Sequence, residues 1–142
     1  VTVAGVESGL AIIPEQSILM VVRSGILRRA FPVSINKVPC TINQDLKALV
    51  PYQVSTSGYL LLMLRGFEQF ILEKLTKQGV TVESVKFDEF ANTEFPLPPL
   101  PEQHRIVDCI DQLMAMCDAL EQQIDAATGK QTELLNAVMA QV

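Results

Sequence analysis

FPLPPLPEQHRIVDCIDQLM, residues Phe95–Met114, is the stretch at which the character of the chain changes. It contains four of the eight prolines within six positions, and no proline follows Pro101. Proline fixes φ and donates no hydrogen bond, so residues 96–101 should be extended, whereas Pro101 followed by Glu102 suits a first helical turn. The stretch predicts a stiff joint between two modules. A PxxP ligand for an SH3-type domain is the alternative interpretation.

Behind the joint, apolar or small residues recur at spacings that alternate between four and three, which is typical of a coiled-coil helix that needs a partner. The segment 102–142 is therefore predicted to be one long helix. Gly129 is its weak point, where a bend or break would fall. The predicted interface residues are Ile106, Ile110, Leu113, Cys117, Leu120, Ile124, Ala127, Leu134 and Val138, with Gln131 as the polar member.

The first 95 residues are predicted to be a β-rich module with one packed helix, so that the whole chain belongs to the α+β class. The helix is expected over residues 58–79, with Ser57 as its N-cap and Gly79 as its C-terminal stop. Residues 88–94 are mostly polar, and the globular module is expected to end after them, at the proline cluster. Short strands are predicted over residues 10–14, 17–23, 32–36, 46–51 and 80–87.

The composition indicates a soluble, cytoplasmic protein with one hydrophobic core. Hydrophobic residues make up 49% of the chain and charged residues 19%. There is neither a secretory signal nor an apolar run long enough to span a membrane. Three cysteines without CxxC spacing predict buried free thiols rather than disulfides or a metal site.

Charge is distributed unevenly, so the net charge of −5 does not exclude a nucleic-acid partner. Residues 1–60 carry five Lys/Arg against three Asp/Glu, whereas residues 96–142 carry two against seven. A basic surface on the first module is therefore compatible with an acidic helix.

Residues with catalytic chemistry are scarce. His104 is the only histidine and is expected to be solvated; Cys109 lies five positions further on, on another face of the helix. The chain has no phosphate-binding GxxxxGK[ST], no GxGxxG and no GxSxG. We therefore predict neither catalytic residues nor a metal nor a cofactor.

The first half of the chain carries the candidate DNA contacts. Arginines beside the glycine-bearing SGIL turn suit phosphate contacts, a bidentate arginine can read guanine, and amide side chains in TINQD can read adenine. Ordinary solvated charge and local turn chemistry are the alternatives. The candidates are Arg23, Ser24, Arg28, Arg29, Lys37, Asn43, Gln44 and Lys47.

Three stretches resemble the specificity subunits of type I restriction-modification enzymes: INQDLKAL, KQGVTVESV and FPLPPLPEQHRIVDCIDQLMAMCDALEQQI. In that family a target-recognition domain ends in PLPPL-x-EQ and continues into a long helix. The resemblance implies that residues 1–95 are the C-terminal portion of such a domain. Residues 96–101 would be the joint, and residues 102–142 the spacer or dimerisation helix.

The resemblance also implies a non-catalytic subunit that selects the DNA sequence. Two recognition domains would be held apart by an antiparallel pair of long helices, which also dock the methyltransferase subunits. The expected partners are double-stranded DNA, the methyltransferase subunit and, through the complex, the restriction subunit. The partner helix would come from the rest of the subunit or from a second copy. Methylation and cleavage would belong to partner chains. A module that serves only for assembly, without DNA binding, is the alternative.

Overall fold

The computed structural model describes residues 11–77, 79 and 82–139, which form two units. The first unit extends to His104 and combines short antiparallel strands with helices. The second begins at Arg105 and is helical throughout its described residues. This mixture confirms the predicted α+β class.

The centre of the first unit is a three-stranded antiparallel sheet. Strands β1 (Ile18–Val21), β2 (Val33–Ile35) and β3 (Leu46–Leu49) lie in the order β2-β1-β3. Ile18 and Met20 alternate inward along β1 and are buried, as the two-residue period of a strand requires. The three strand predictions in this region are confirmed. Of the predicted strand 10–14, the described residues 11–14 form only a single bridge, between Ile13 and Cys40.

The prediction of one helix over residues 58–79 was wrong. Helix α1 (Ser57–Gly66) ends at a glycine, which costs about 1 kcal/mol relative to alanine inside a helix. Helix α2 (Glu68–Lys74) follows and ends before Gly79, because the chain then enters strand β4 (Thr76–Lys77).

Ser57 is not the side-chain N-cap of α1. It is the first helical residue and is buried, and its hydroxyl donates a 2.8 Å hydrogen bond to the carbonyl of Gln16. The hydroxyl is therefore used to join α1 to the turn before β1, rather than to satisfy the amides of its own helix.

Residues 76–91 contain two further elements. β4 pairs with β5 (Ser84–Val85), so that of residues 82–87, the described part of the strand predicted over 80–87, only two are in a strand. Helix α3 (Phe87–Ala91), which the sequence did not predict, begins at the last residue of that predicted strand and extends into the polar segment 88–94. Phe90 explains this helix, since its ring is buried with centroids 6.3 Å from Phe31 and 5.5 Å from Phe95.

The core lies between the three-stranded sheet and the helices of the first unit. Each fully buried aliphatic side chain contributes about 1.5–3 kcal/mol of transfer free energy, so these residues provide most of the driving force for folding. The buried cluster consists of Ile18, Met20, Val22, Leu27, Phe31, Val33, Leu64, Ile71, Leu75, Val85 and Phe90.

Helix α4 (Leu100–Met139) confirms the predicted long helix. Its first turn is closed by the carbonyl of Pro99, which accepts hydrogen bonds from the amides of Glu102 and Gln103. Pro101 lies in this turn as predicted, where its missing amide hydrogen is not needed. The helix continues through Gly129 without a break.

The predicted interface residues between Leu113 and Gln131 are exposed on α4. Leu113 and Leu120 are 54% and 56% exposed, and Cys117, Ile124, Ala127 and Gln131 are exposed as well. Ile106 and Ile110 are half-buried. The side chains of Leu134 and Val138 lie outside the described residues. Among the described helices, none combines the length and hydropathy of a membrane span.

Candidate nucleic-acid interface

The pairing of β1 with β3 brings two candidate regions to one edge of the sheet. Val21, at the end of β1, is opposite Leu46, at the start of β3. The SGIL turn leaves β1 at the point where the TINQD loop enters β3. The backbone carbonyl of Asp45 joins the loop to the turn, since it accepts hydrogen bonds from the amides of Val22 at 2.9 Å and Arg23 at 3.3 Å.

A polar cavity of about 410 Å³, here named the edge cleft, opens at this junction. Arg23 and Gln44 are exposed, and neither side chain has a hydrogen-bond or ion-pair partner among the described residues. A guanidinium can bind guanine O6 and N7, and a glutamine amide can bind adenine N6 and N7. The cleft is lined by Arg23, Ser24, Gly25, Gln44, Asp45 and Val82.

The turn that carries Arg23 has a defined conformation. Ser24 has an extended backbone and caps the 3₁₀ helix Gly25–Arg28, because its Oγ accepts a hydrogen bond from the amide of Ile26. Leu27 is buried beneath the turn. The arginines around this turn are thus held by a capped and packed backbone.

Asn43 and Gln44 have different roles although they are adjacent. Asn43 Oδ1 accepts a 3.1 Å hydrogen bond from the amide of Asp45, which is the local turn chemistry expected as the alternative. Gln44 stays exposed at the tip of this turn. The structure therefore favours Gln44 over Asn43 as a side chain that can reach a ligand.

Neither of the two candidate lysines lines the edge cleft. Lys37 is exposed in the connection between β2 and β3. Lys47 is exposed on β3, and its ammonium lies 5.5 Å from the ring centroid of Phe87, within cation–π range.

Arg28 and Arg29 line a second cavity of about 480 Å³, here named the arginine cleft. The sequence did not predict its third arginine, Arg65, because the residue lies at the end of α1 in a segment interpreted as a buried helix. The lining residues are Arg28, Arg29, Arg65, Gly66, Glu68, Gln69, Leu72 and Glu73.

Glu83 is the other residue that the sequence did not indicate. Its carboxylate is buried and pairs with Arg28, with 2.5 Å between Arg28 Nε and Glu83 Oε1. The two residues are 55 positions apart. No spacing rule connects residues at this separation, so only the fold reveals the pair.

The histidine and the three cysteines line neither of the two clefts. His104 is exposed, as predicted. The prediction of buried thiols was wrong, because Cys109 and Cys117 are exposed on α4 and Cys40 is half-buried, although all three are free. In residues 11–77, 79 and 82–139 there is no group of three or more His, Cys, Asp or Glu that could hold a metal ion.

Comparison with known proteins identifies the class of this chain. Residues 6–127 match the family model described as "Type I restriction modification DNA specificity domain". The match covers most of the chain, and the chain therefore belongs to this family. The resemblance stated from the sequence is confirmed, and so is the prediction of a non-catalytic specificity module.

The curated relatives are specificity subunits from Escherichia coli. The chain is 34% identical over 131 residues to the type I restriction enzyme EcoR124I/EcoR124II specificity subunit, covering 92% of this chain and 31% of that protein. It is 25% identical over 118 residues to the EcoBI specificity subunit, covering 83% and 24%. With the EcoDI specificity subunit it shares 42% identity over 45 residues, covering 32% and 10%. The chain thus spans less than a third of the length of these relatives.

Proposed function

We propose that this chain is a DNA-recognition module of a type I restriction-modification complex and that it reads bases through the edge cleft. The observation that carries the proposal is the meeting of Arg23 and Gln44, 21 positions apart, in one cleft of a family whose model is a DNA specificity domain. Both side chains have unused hydrogen-bonding groups of the kind that distinguish base pairs in the major groove.

The other candidates contribute phosphate contacts in this proposal. Arg28, Arg29, Lys37 and Lys47 are exposed cations on the same unit as the edge cleft. Contacts to phosphates fix the orientation of a protein on DNA without reading its sequence. Loss of one of these cations should weaken binding to every duplex, whereas loss of a base contact should relax discrimination at one position.

Substitution in the edge cleft tests the proposal. Arg23→Ala and Gln44→Ala are made in the natural complex that contains this chain. Its affinity is then measured for the target duplex and for duplexes with single base-pair changes. Each variant should lose about tenfold or more of the discrimination at one base pair, since a bidentate base contact contributes roughly 1–3 kcal/mol.

Gln53→Ala is the matched control, because Gln53 is also an exposed glutamine but does not line the edge cleft. Discrimination should be unchanged in this variant. If Arg23→Ala and Gln44→Ala both retain the wild-type preference at every base pair, the edge cleft does not read the sequence.

Helix α4 supports a second role in assembly. Its accessible apolar residues, among them Leu113, Leu120 and Ile124, would pair with an antiparallel helix from the rest of the subunit or from a second copy, and with the methyltransferase subunit. In the alternative to DNA recognition, this pairing is the only function of the chain. DNA binding that depends on the edge cleft would exclude that alternative.

In the complete complex, methyl transfer and DNA cleavage would be carried out by the methyltransferase and restriction subunits. This division of labour fits a chain whose recognised family is a specificity domain. The module itself would need no cofactor, and its DNA partner would place it in the cytoplasm.

A further inference from the structure

The 3₁₀ turn between β1 and β2 separates two clefts of different character. Arg23, Ser24 and Gly25 at its start line the edge cleft, while Arg28 and Arg29 at its end line the arginine cleft. We propose that the arginine cleft binds a DNA phosphate and that Glu83 is the positioning residue that orients Arg28 toward it. This inference rests on the proposed function, because it names the part of the DNA that the second cleft takes.

Glu83 holds the turn at two points. Its backbone carbonyl accepts a 3.1 Å hydrogen bond from the amide of Ser24, and its carboxylate accepts the bond from Arg28 Nε. These contacts lie at the start and at the end of the 3₁₀ helix. A residue from the segment before β5 thus fixes the direction in which the turn presents its arginines.

The Arg28–Glu83 pair is asymmetric in its exposure. The Glu83 side chain is 6% exposed and the Arg28 side chain 60%. Because Nε of Arg28 donates to the buried carboxylate of Glu83, the two terminal nitrogens of the guanidinium, with their four N–H groups, remain at the accessible end. A phosphate is recognised by such a planar, preoriented fork.

The environment of the second carboxylate oxygen of Glu83 indicates that this residue orients Arg28 rather than stabilises the fold. Glu83 Oε2 is buried and has no hydrogen-bond partner among the described residues. An incompletely satisfied buried carboxylate is unfavourable for folding, and an apolar residue of similar size would avoid that cost. The acid is useful at this position if its task is to hold Arg28.

Two of the three arginines of the arginine cleft have no ion-pair partner in the described part of the chain. Arg29 and Arg65 are exposed, and neither has a carboxylate within 4.0 Å in the described part of the chain. The two acids of the cleft accept hydrogen bonds from neutral donors instead. Glu68 Oε1 accepts from the amide of Phe31, and Glu73 Oε1 accepts from Gln69 Nε2.

Arg29 and Arg65 have no ion-pair partner among the described residues and can bind an anion at the cavity that Arg28 also lines, and the position of the cavity favours a phosphate. The edge cleft proposed to read bases is lined by the same short turn, and phosphates flank every base step. The acidic surface of a partner protein is the competing occupant, and the experiment below distinguishes it.

The test uses the natural complex and a labelled duplex in fluorescence anisotropy from about 50 to about 200 mM KCl. Arg65→Ala should weaken binding about tenfold for the target and for a scrambled duplex alike, as loss of a charge-assisted hydrogen bond predicts. The slope of log affinity against log salt should fall by roughly 0.9, the value for one phosphate contact. Lys74→Ala is the control, since Lys74 is an exposed cation on α2 that does not line the cleft.

A double-mutant cycle tests the positioning role of Glu83. Glu83→Gln keeps the backbone contact to Ser24 and the size of the side chain but removes the charge that holds Arg28. It should weaken DNA binding when Arg28 is present and have little further effect in an Arg28→Ala background. Equal losses in both backgrounds would mean that Glu83 acts only on folding and would overturn its positioning role.

Three further outcomes distinguish failure of the phosphate site, a cleft that binds protein, and failure of the proposed function. If the wild-type complex binds DNA and Arg65→Ala changes neither affinity nor salt slope, the phosphate site is refuted and the edge cleft is unaffected. If Arg65→Ala weakens assembly with the methyltransferase subunit but leaves the DNA affinity of the assembled complex unchanged, the cleft binds protein and the inference fails. If the wild-type complex does not bind DNA, the proposed function itself is wrong.

Discussion

The phenol of Tyr59 donates a 2.8 Å hydrogen bond to the carbonyl oxygen of Pro96. Tyr59 is buried in α1, and Pro96 is the first residue of the proline segment. Phe95 reinforces the junction, because its ring lies edge-on to that of Phe67 with 5.5 Å between centroids. The proline segment is therefore fixed at its start to the first unit.

Tyr59→Phe should lower the free energy of unfolding by about 1 kcal/mol, because the Pro96 carbonyl loses its donor while ring packing is retained. Urea denaturation monitored by circular dichroism measures this change. Tyr52→Phe is the matched control, since Tyr52 is fully exposed and should tolerate loss of its hydroxyl. Equal stability of the two variants would show that the bond to Pro96 contributes nothing.

Gln103 should stabilise the start of α4. It is 4% exposed, and its Nε2 donates a 2.8 Å hydrogen bond to the carbonyl of Pro98. Gln103→Ala should cost about 1–2 kcal/mol, because a buried contact and a hydrogen bond are lost together. The same substitution at Gln112, which is exposed on α4, should change stability by less than about 0.5 kcal/mol. Thermal melting of both variants decides whether Gln103 has this role.

Asn36 should be among the most sensitive polar residues of the first unit. Its Oδ1 accepts a 2.8 Å hydrogen bond from the amide of the buried Ser17, and its Nδ2 donates to the carbonyls of Pro14 and Val38. Asn36→Ala should lower the free energy of unfolding by about 2–3 kcal/mol, because it leaves the Ser17 amide unsatisfied.

Asn36→Asp retains the acceptor for Ser17 but cannot donate to the two carbonyls. Its loss of stability, measured by the same denaturation experiment, should be smaller than that of Asn36→Ala. A larger loss for the aspartate variant would mean that the donated bonds are more important than the accepted one.

The exposed apolar residues of α4 should determine assembly but not folding. Leu120→Glu should abolish or strongly weaken pairing with the partner helix, because a charge would be placed at the centre of the predicted interface. Analytical ultracentrifugation over a concentration series measures the association. Ala119→Glu is the control, since Ala119 is exposed but outside the four-three pattern, and association should persist. Equal association of both variants would contradict the predicted interface.

The sequence predicted the elements that have a clear pattern of apolar residues. The dense Ile/Val content around β1 and the four-three spacing of α4 were sufficient, because β-branched residues favour strands and a buried helix face imposes its period on the sequence. The short helix α3 was missed because Phe87 ends a segment predicted to be a strand and Phe90 lies within a segment of otherwise polar composition. Its five residues are fixed by the packing of Phe90 against Phe31 and Phe95, which is a tertiary effect.

The sequence predicted which residues could form the candidate site but not how they are arranged. The sequence indicated Arg23 and Gln44 separately, and their common cleft depends on the register that sets Val21 opposite Leu46. Arg65 and Glu83 gave no signal, since each resembles an ordinary residue of its own element. Their importance arises only where distant segments meet.

The edge cleft is bounded by three separate stretches of the chain, and none of its lining residues belongs to the buried core. Natural variation in the side chains of these stretches, apart from the Ser24 cap, can therefore accumulate with little effect on the fold. If the cleft reads bases, a lineage could exchange one DNA target for another through a few surface replacements, while the scaffold and α4 are inherited unchanged. New specificities would then evolve at little risk of losing the folded protein.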